Sequence, residues 1–228
     1  MLSANDKPAN GLSPLVFSHL SKPTPKTDYR MPLNGRLSVE MQPLQHIWIV
    51  TGPAGSGKTT VAQKLQAELG LPYLEGDDFH TPANKEKMGN GIPLSDADRW
   101  DWLISLRDAA VNILSPPDSD NTPAPSGVVM SCSALKLKYR DVIRIAAYDH
   151  PSIQIHFIYL KADEKVLMER VNERGGHYMK SNMIRSQFEA LEDPTDEKDV
   201  LAVDVTTSPE EVHRRVSETV AKKLAEYN

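Results

Sequence analysis

The sequence predicts an α/β fold, a three-layer, doubly wound parallel sheet of about five strands with helices on both faces. Three observations predict it. Short β-prone apolar runs alternate along the chain with stretches of helical periodicity, which is the pattern of a parallel sheet. The first run, Ile47 to Val50, leads straight into a glycine-rich segment, and then Val61, Leu65 and Leu69 recur at four-residue spacing as one face of a helix. A cluster of acids, Glu75, Asp77 and Asp78, follows the second run, at the strand end where ligands collect in such sheets.

The glycine-rich segment carries the chemistry. Gly52-x-x-x-x-Gly57-Lys58-Thr59 is the full phosphate-binding P-loop pattern, and it sits between a strand and a helix, the context that confirms it. Gly52, Gly55 and Gly57 permit the turns that aim backbone N–H groups at phosphate oxygens, with Pro53, Ala54 and Ser56 completing the loop. The helix that starts at Lys58, Thr59 and Thr60 adds its N-terminal N–H groups. Lys58 brings a point charge to the β- and γ-phosphates, and Thr59 a hydroxyl for Mg²⁺. ATP and Mg²⁺ are therefore the expected ligands.

Composition narrows the class. A chain of 228 residues holds one sizeable domain with some surplus. The net charge of −5 gives no electrostatic case for nucleic acid or an anionic membrane. The single Cys132 excludes an internal disulfide and a cysteine zinc cluster. No apolar run approaches the length of a membrane span, and a reducing, cytoplasmic setting is expected.

The elements follow in order. Residues 1–45 are polar, Pro-rich and without sustained period, and read as a disordered N-terminal tail, so that the domain occupies 46–228. Gly70-Leu71-Pro72 ends the first helix, and Tyr73-Leu74 is a brief second strand. Thr81 to Gly91 is polar and broken by glycines. Asp96 to Leu114 reads as a helix capped by Asp96, with Trp102, Leu103, Leu106 and Ala110 on its apolar face. Residues 115–127 form a Pro-rich insertion loop. Val128 to Cys132 is the third strand, Lys136 to Ala147 a helix, and Ile153 to Leu160 the fourth strand. Asp163 to Arg174 and Asn182 to Leu191 are helical, Val200 to Val205 is the last strand, and Pro209 to Ala225 the last helix.

Motor and switch proteins with this loop end an apolar strand in an Asp that holds Mg²⁺. Here Val128 to Cys132 ends without an acid, and the acids sit after strand two, as in small-molecule kinases. A transfer enzyme must exclude water, which calls for a mobile lid carrying cations. Arg170 and Arg174 lie one turn apart on a helix before Gly175-Gly176, a plausible hinge. A solvated pair at a helix end is the competing reading.

Gly76-Asp77-Asp78-Phe79-His80, with Asn84-x-x-Lys87-Met88-x-x-Gly91-x-Pro93-Leu94-x-Asp96-x-Asp98-Arg99-x-x-Trp102-Leu103, resembles the gluconokinases among P-loop small-molecule kinases. So do Cys132-Ser133-Ala134-Leu135-Lys136-x-x-Tyr139-Arg140-Asp141, Gly176-His177-Tyr178-Met179 and Ser186-Gln187-Phe188-Glu189-Ala190-Leu191-Glu192. The resemblance runs from about His46 to the last helix and leaves out the tail and the 115–127 loop. It implies ATP-dependent phosphorylation of the 6-hydroxyl of D-gluconate to 6-phosphogluconate, and leaves the assembly open, a homodimer included. Asp77 and Glu75, two apart, are expected on one side of an extended segment. Asp77 would accept or orient the hydroxyl proton and Glu75 would lie nearer Mg²⁺, with the division between them open. His80 and Asn84, four apart, are expected to share a helical face against the sugar hydroxyls. Arg99 would grip the substrate carboxylate, Lys136 would reach substrate or γ-phosphate, and Lys58, Asp77 and Arg174 would carry catalysis. The alternatives are a kinase of another polyol acid such as shikimate, or a non-catalytic nucleotide-binding module.

Overall fold

A computed structural model describes residues 43–115, 123–148, 150–173 and 181–227. The tail up to residue 42, the stretch 116–122, and Arg174 with Gly175, Gly176 and His177 lie outside the described residues.

Five strands form one sheet: β1 (Gln45–Thr51), β2 (Tyr73–Glu75), β3 (Gly127–Ser131), β4 (Ile153–Lys161) and β5 (Val200–Asp204). Their order is β2-β3-β1-β4-β5 and every pairing is parallel. In register, Ile47 faces Val128 on one side and Ile155 on the other. The helices are α1 (Lys58–Leu69), α2 (Pro82–Gly89), α3 (Trp100–Leu114), α4 (Leu137–Arg144), α5 (Glu164–Glu173), α6 (Ser181–Ala190) and α7 (Pro209–Ala225).

β1 shows why three layers form. It is central, and residues 46–51 are all buried, so its side chains must serve both faces. Ile47 and Ile49 pack with Trp102, Leu103, Leu106 and Ile143 from α3 and α4. Trp48 and Val50 point the other way, to Val61 and Leu65 of α1 and Val212 and Val216 of α7. Each such fully buried aliphatic contributes about 1.5–3 kcal/mol over its exposed state. Connections leave β1 and β3 in opposite directions, toward β2 and β4. That opens a crevice at the carboxyl ends of these two strands.

The boundaries differ in two informative places. α3 starts at Trp100, not at Asp96, and its cap position is Arg99 with no side-chain cap. Asp96 is drawn away by Lys136, Lys138 and Tyr139 of another segment. Residues 95–98 instead form a turn in which Asp98 accepts from the Ser95 N–H at 2.9 Å. The polar stretch after His80 is a helix, α2, with the Thr81 hydroxyl accepting from the Asn84 N–H at 3.2 Å. Gly70 ends α1 in the left-handed conformation, as its position after Leu69 predicts.

Candidate active site

The loop between β1 and α1 has the predicted geometry. Gly52, Gly55 and Gly57 all have positive φ. A Cβ on Gly55 would stand 2.9 Å from Val171 Cγ2, so α5 closes directly onto the loop. α1 has no acidic residue in its first turn and no side chain bonded over its N-terminus. Its first N–H groups are thus left to an anion. Lys58 donates from Nζ to the Pro53 carbonyl at 3.1 Å, and burial lowers its pKa while Asp77 and Glu75 oppose that.

A cavity of about 610 Å³ opens over this loop at the carboxyl ends of β1, β2 and β3. Ala54, Gly57, Lys58, Thr59 and Thr60 line one end, Glu75 and Asp77 the middle, and His80, Asp96, Arg99 and Lys136 the other end. Gly52, Pro53 and Ser56 shape the loop without lining this space.

Glu75 and Asp77 share the cavity by a different route from strand alternation. Glu75 ends β2, and the chain then turns at once into a 3₁₀ turn, Gly76–Phe79. Gly76 fits only as glycine, since a Cβ there would stand 2.2 Å from the Ser131 carbonyl. Trp102 Nε1 donates to the Gly76 carbonyl at 2.6 Å and fixes the turn.

The two acids meet different surroundings. Burial pushes the Glu75 carboxyl up, but hydrogen bonds from Ser131, Tyr73 and Thr59 outweigh it, so its pKa falls below the ordinary value. The Tyr73 hydroxyl donates to it at 2.6 Å, and the Ser131 hydroxyl donates to its other oxygen. Asp77 goes the opposite way. Its side chain is 79% exposed toward the cavity, yet the cavity walls desolvate it and raise its pKa, with Lys58 opposing and Glu75 reinforcing. Two carboxylates tuned apart in one site mark a division of labour.

The acceptor end needs two corrections. His80 precedes α2 in extended backbone, so it shares no helical face with Asn84. Asn84 is buried under the cavity wall, where its Nδ2 donates to the Asp98 carbonyl at 2.6 Å, and it does not line the cavity. The intervening Thr81 cap breaks the expected four-residue geometry. His80 does line it, stacked on Trp102 at 4.1 Å between ring centroids. Burial, with Arg99 and Lys85, pushes its pKa down to about 4, so it stands neutral 3.9 Å from Asp77. Its Nδ1 is buried and has no partner among the described residues.

Arg99 lines the cavity without an ion pair among the described residues. Its Nη1 donates to the Leu94 carbonyl at 2.5 Å and to Tyr139 at 3.3 Å. Asp98 is not its partner, being held by Lys87 at 2.7 Å. Lys136 donates to Asp96 at 3.1 Å. Hydrogen bonds from Lys138, Tyr139 and Lys136 hold Asp96 well below the usual carboxylate range. Arg99, Lys136 and Lys138 thus outnumber the one carboxylate among them.

Arg170 corrects the lid picture. Its Nη2 donates to the Val205 carbonyl at 2.5 Å and reaches Thr207 O at 3.4 Å, so it turns toward the β5–α7 connection. There it lines a second cavity of about 350 Å³ on the far flank of the loop, with Gly57, Thr60, Val205 and Thr207. A helical wheel places a side chain on a face but not which neighbour that face meets. Cys132 is buried and its thiol is pushed up to about 12, which fits a packing residue. Among the described residues no group of three His, Cys, Asp or Glu could hold a metal by itself.

Sequence reasoning missed the Tyr73–Ser131 clamp on Glu75 and the partner of the loop's Ala54 N–H. That partner is Gln187 of α6, whose Oε1 accepts at 2.7 Å. Ser131 gave one signal: a polar residue ending an otherwise apolar strand.

A parallel sheet with a P-loop after its central strand, and paired acids after the edge strand one place beyond its neighbour, defines the class of P-loop phosphotransferases that act on small molecules. The chain matches the family described as "AAA domain" over residues 49–193. It is 44% identical over 186 residues to a probable gluconokinase of Schizosaccharomyces pombe, covering 81% of this chain and 93% of that protein. It is 40% identical over 178 residues to the thermoresistant gluconokinase of Escherichia coli, covering 78% and 94%. A solved gluconokinase from Sinorhizobium meliloti 1021 superposes with a TM-score of 0.68 at 37% identity, over 82% of this chain and 97% of that one. The chain belongs to the gluconokinase family.

Proposed function

We propose that this protein transfers the γ-phosphoryl group of ATP to the 6-hydroxyl of D-gluconate, giving 6-phosphogluconate and ADP. One observation carries the reading beyond kinship. A single cavity has a phosphate cradle at one end, a cationic cluster at the other and the Asp77 carboxylate between them. A polyol acid fits that layout, with its carboxylate at Arg99 and Lys136 and its far hydroxyl at Asp77.

Asp77 takes the proton of the 6-hydroxyl as that oxygen bonds to the γ-phosphorus. The bond from γ-phosphorus to the β,γ-bridging oxygen breaks, and ADP leaves with its electron pair. Lys58 meets the charge on the β- and γ-oxygens. Thr59 and Glu75 suit Mg²⁺, which takes one or two protein oxygens and fills its shell with phosphates and water. When bound, the ion neutralises phosphate charge. Arg170 and its groove take the nucleoside end; Arg174, outside the described residues, is a second cation for the transferring group. His80 positions a hydroxyl of the acceptor. No described helix is long and apolar enough to cross a membrane. A cytoplasmic enzyme acting on a small molecule fits this chemistry.

The test is steady-state ADP release with Mg-ATP and D-gluconate, shikimate, glycerate, hexoses or nucleoside monophosphates. Stimulation by D-gluconate alone is expected. Stimulation by shikimate instead would move the acceptor assignment, and nucleotide binding without turnover of any acceptor would favour a binding module.

A further inference from the structure

We propose that Gln187 makes the site distinguish ATP from ADP, by competing with the terminal phosphate for the Ala54 backbone N–H. The inference rests on the kinase reading in one respect, that the γ-phosphate lies beside Asp77.

Gly55, Gly57 and Thr60 line both the main cavity and the groove beside Arg170. The second groove is lined by Gly55, Ser56, Gly57 and Thr60, but not by Ala54. Ala54 lines the main cavity, which Asp77 also lines, and not the groove. Its N–H bonds Gln187, which lines the same cavity. Ala54 is 5% exposed, so that N–H must be met by an acceptor. Here Gln187 meets it, through Oε1 at 2.7 Å. A backbone N–H only donates, so the amide oxygen faces the loop and the amide nitrogen is turned away from it.

A γ-phosphate oxygen is an ionised acceptor and forms the stronger bond. When ATP binds, it takes the Ala54 N–H and Gln187 is displaced. When ADP binds, the donor stays with Gln187. The displacement is felt along α6, whose far end is fastened to the acceptor wall. Just beyond α6, the Glu192 carboxylate accepts from the Leu137 N–H at 2.6 Å, and its own N–H donates to the Leu135 carbonyl at 2.9 Å. Leu135 and Lys136 line the cavity. The same helix thus touches the γ-phosphate donor and the acceptor end, and Gln187 acts as a positioning residue.

The test is calorimetric titration of the full chain with Mg²⁺ plus either ADP or a non-hydrolysable β,γ-imido ATP analogue. Gln187→Ala removes the competitor and should tighten analogue binding about three- to tenfold, the worth of one hydrogen bond, with ADP affinity unchanged. Gln187→Met, which keeps the side-chain length, should do the same and replaces the alanine variant if that fails to fold. Gln187→Glu should weaken the analogue more than ADP, because a carboxylate holds the N–H harder and repels phosphate. A purely structural Gln187 would make Ala and Met weaken both nucleotides alike, and that result overturns the proposal. So does equal tightening of both, or no change in either. A wild-type protein that binds both nucleotides but never turns over gluconate would sink the kinase reading instead, with this comparison still readable.

Discussion

The hydroxyl of Ser131, the last residue of β3, donates to the carboxylate of Glu75, the last residue of β2, and the two are paired in register across the sheet. The strand that would carry a magnesium-binding acid in a motor or switch protein carries a serine here. That serine holds an acid lent by the neighbouring strand. Tyr73 completes the clamp at 2.6 Å, and Thr59 reaches the same carboxylate from the P-loop.

Ser131→Ala should therefore act through the metal. Hydrogen bonds to a charged group contribute about 1.5–3 kcal/mol, so the Mg²⁺ concentration for half-maximal rate should rise about tenfold or more. Tyr73→Phe should move it in the same direction. An unchanged Mg²⁺ dependence with a lower rate would mean that Glu75 serves another role.

Asp77→Asn should lower kcat by about 10²–10⁴, the usual worth of a positioned proton acceptor, with ATP affinity retained. Glu75→Gln should instead raise the Mg²⁺ requirement. Kinetics over a range of Mg²⁺ concentrations separates the two. Collapse of ATP affinity in Asp77→Asn would reassign Asp77 to the metal.

Arg99→Ala should raise KM for gluconate about tenfold or more while leaving KM for ATP alone, as expected for loss of a charge-assisted grip on a carboxylate. Arg99 also holds the Leu94 carbonyl, so thermal melting must accompany the kinetics. Equal changes in both KM values would point to a structural effect.

The sheet was legible because each strand is a short apolar run fed by a turn, and the P-loop because its chemistry needs glycines at fixed spacing. The acids after β2 were legible as a cluster, but their geometry was not, since the 3₁₀ turn at Gly76 depends on how closely Ser131 approaches. The same limit explains Asn84. Four-residue spacing implies a shared helical face only if the helix includes both residues, and α2 begins after His80. Asp96 looked like a cap because it precedes a helical run, yet the cations that claim it lie 40 and 42 positions away. Long-range partners such as Gln187 for Ala54, 133 positions apart, leave no mark in local pattern.

Acid should destabilise the fold through its buried histidines. Burial pushes His80 and His156 each down to about 4, and lowers His46, which bonds His156 at 3.0 Å under Trp48 and Tyr227. These groups are neutral in the native state but charge near 6.5 when unfolded, so the unfolded chain binds more protons between those values. Stability then falls as pH drops from about 6.5 to about 4, by at most about 1.4 kcal/mol per pH unit for each histidine. Denaturant unfolding at pH 7, 6 and 5 should show the loss, and His156→Gln should flatten it. A flat wild-type profile would mean that these rings already carry their protons in the native state.

The measurement that tests the central assignment most directly is product analysis by phosphorus and carbon NMR after incubation with Mg-ATP and D-gluconate. Gluconate phosphorylated at O6 should appear in one-to-one ratio with ADP, with no ADP formed when gluconate is left out. ADP accompanied by free inorganic phosphate and unmodified gluconate would contradict transfer to this acceptor and leave an ATPase in its place.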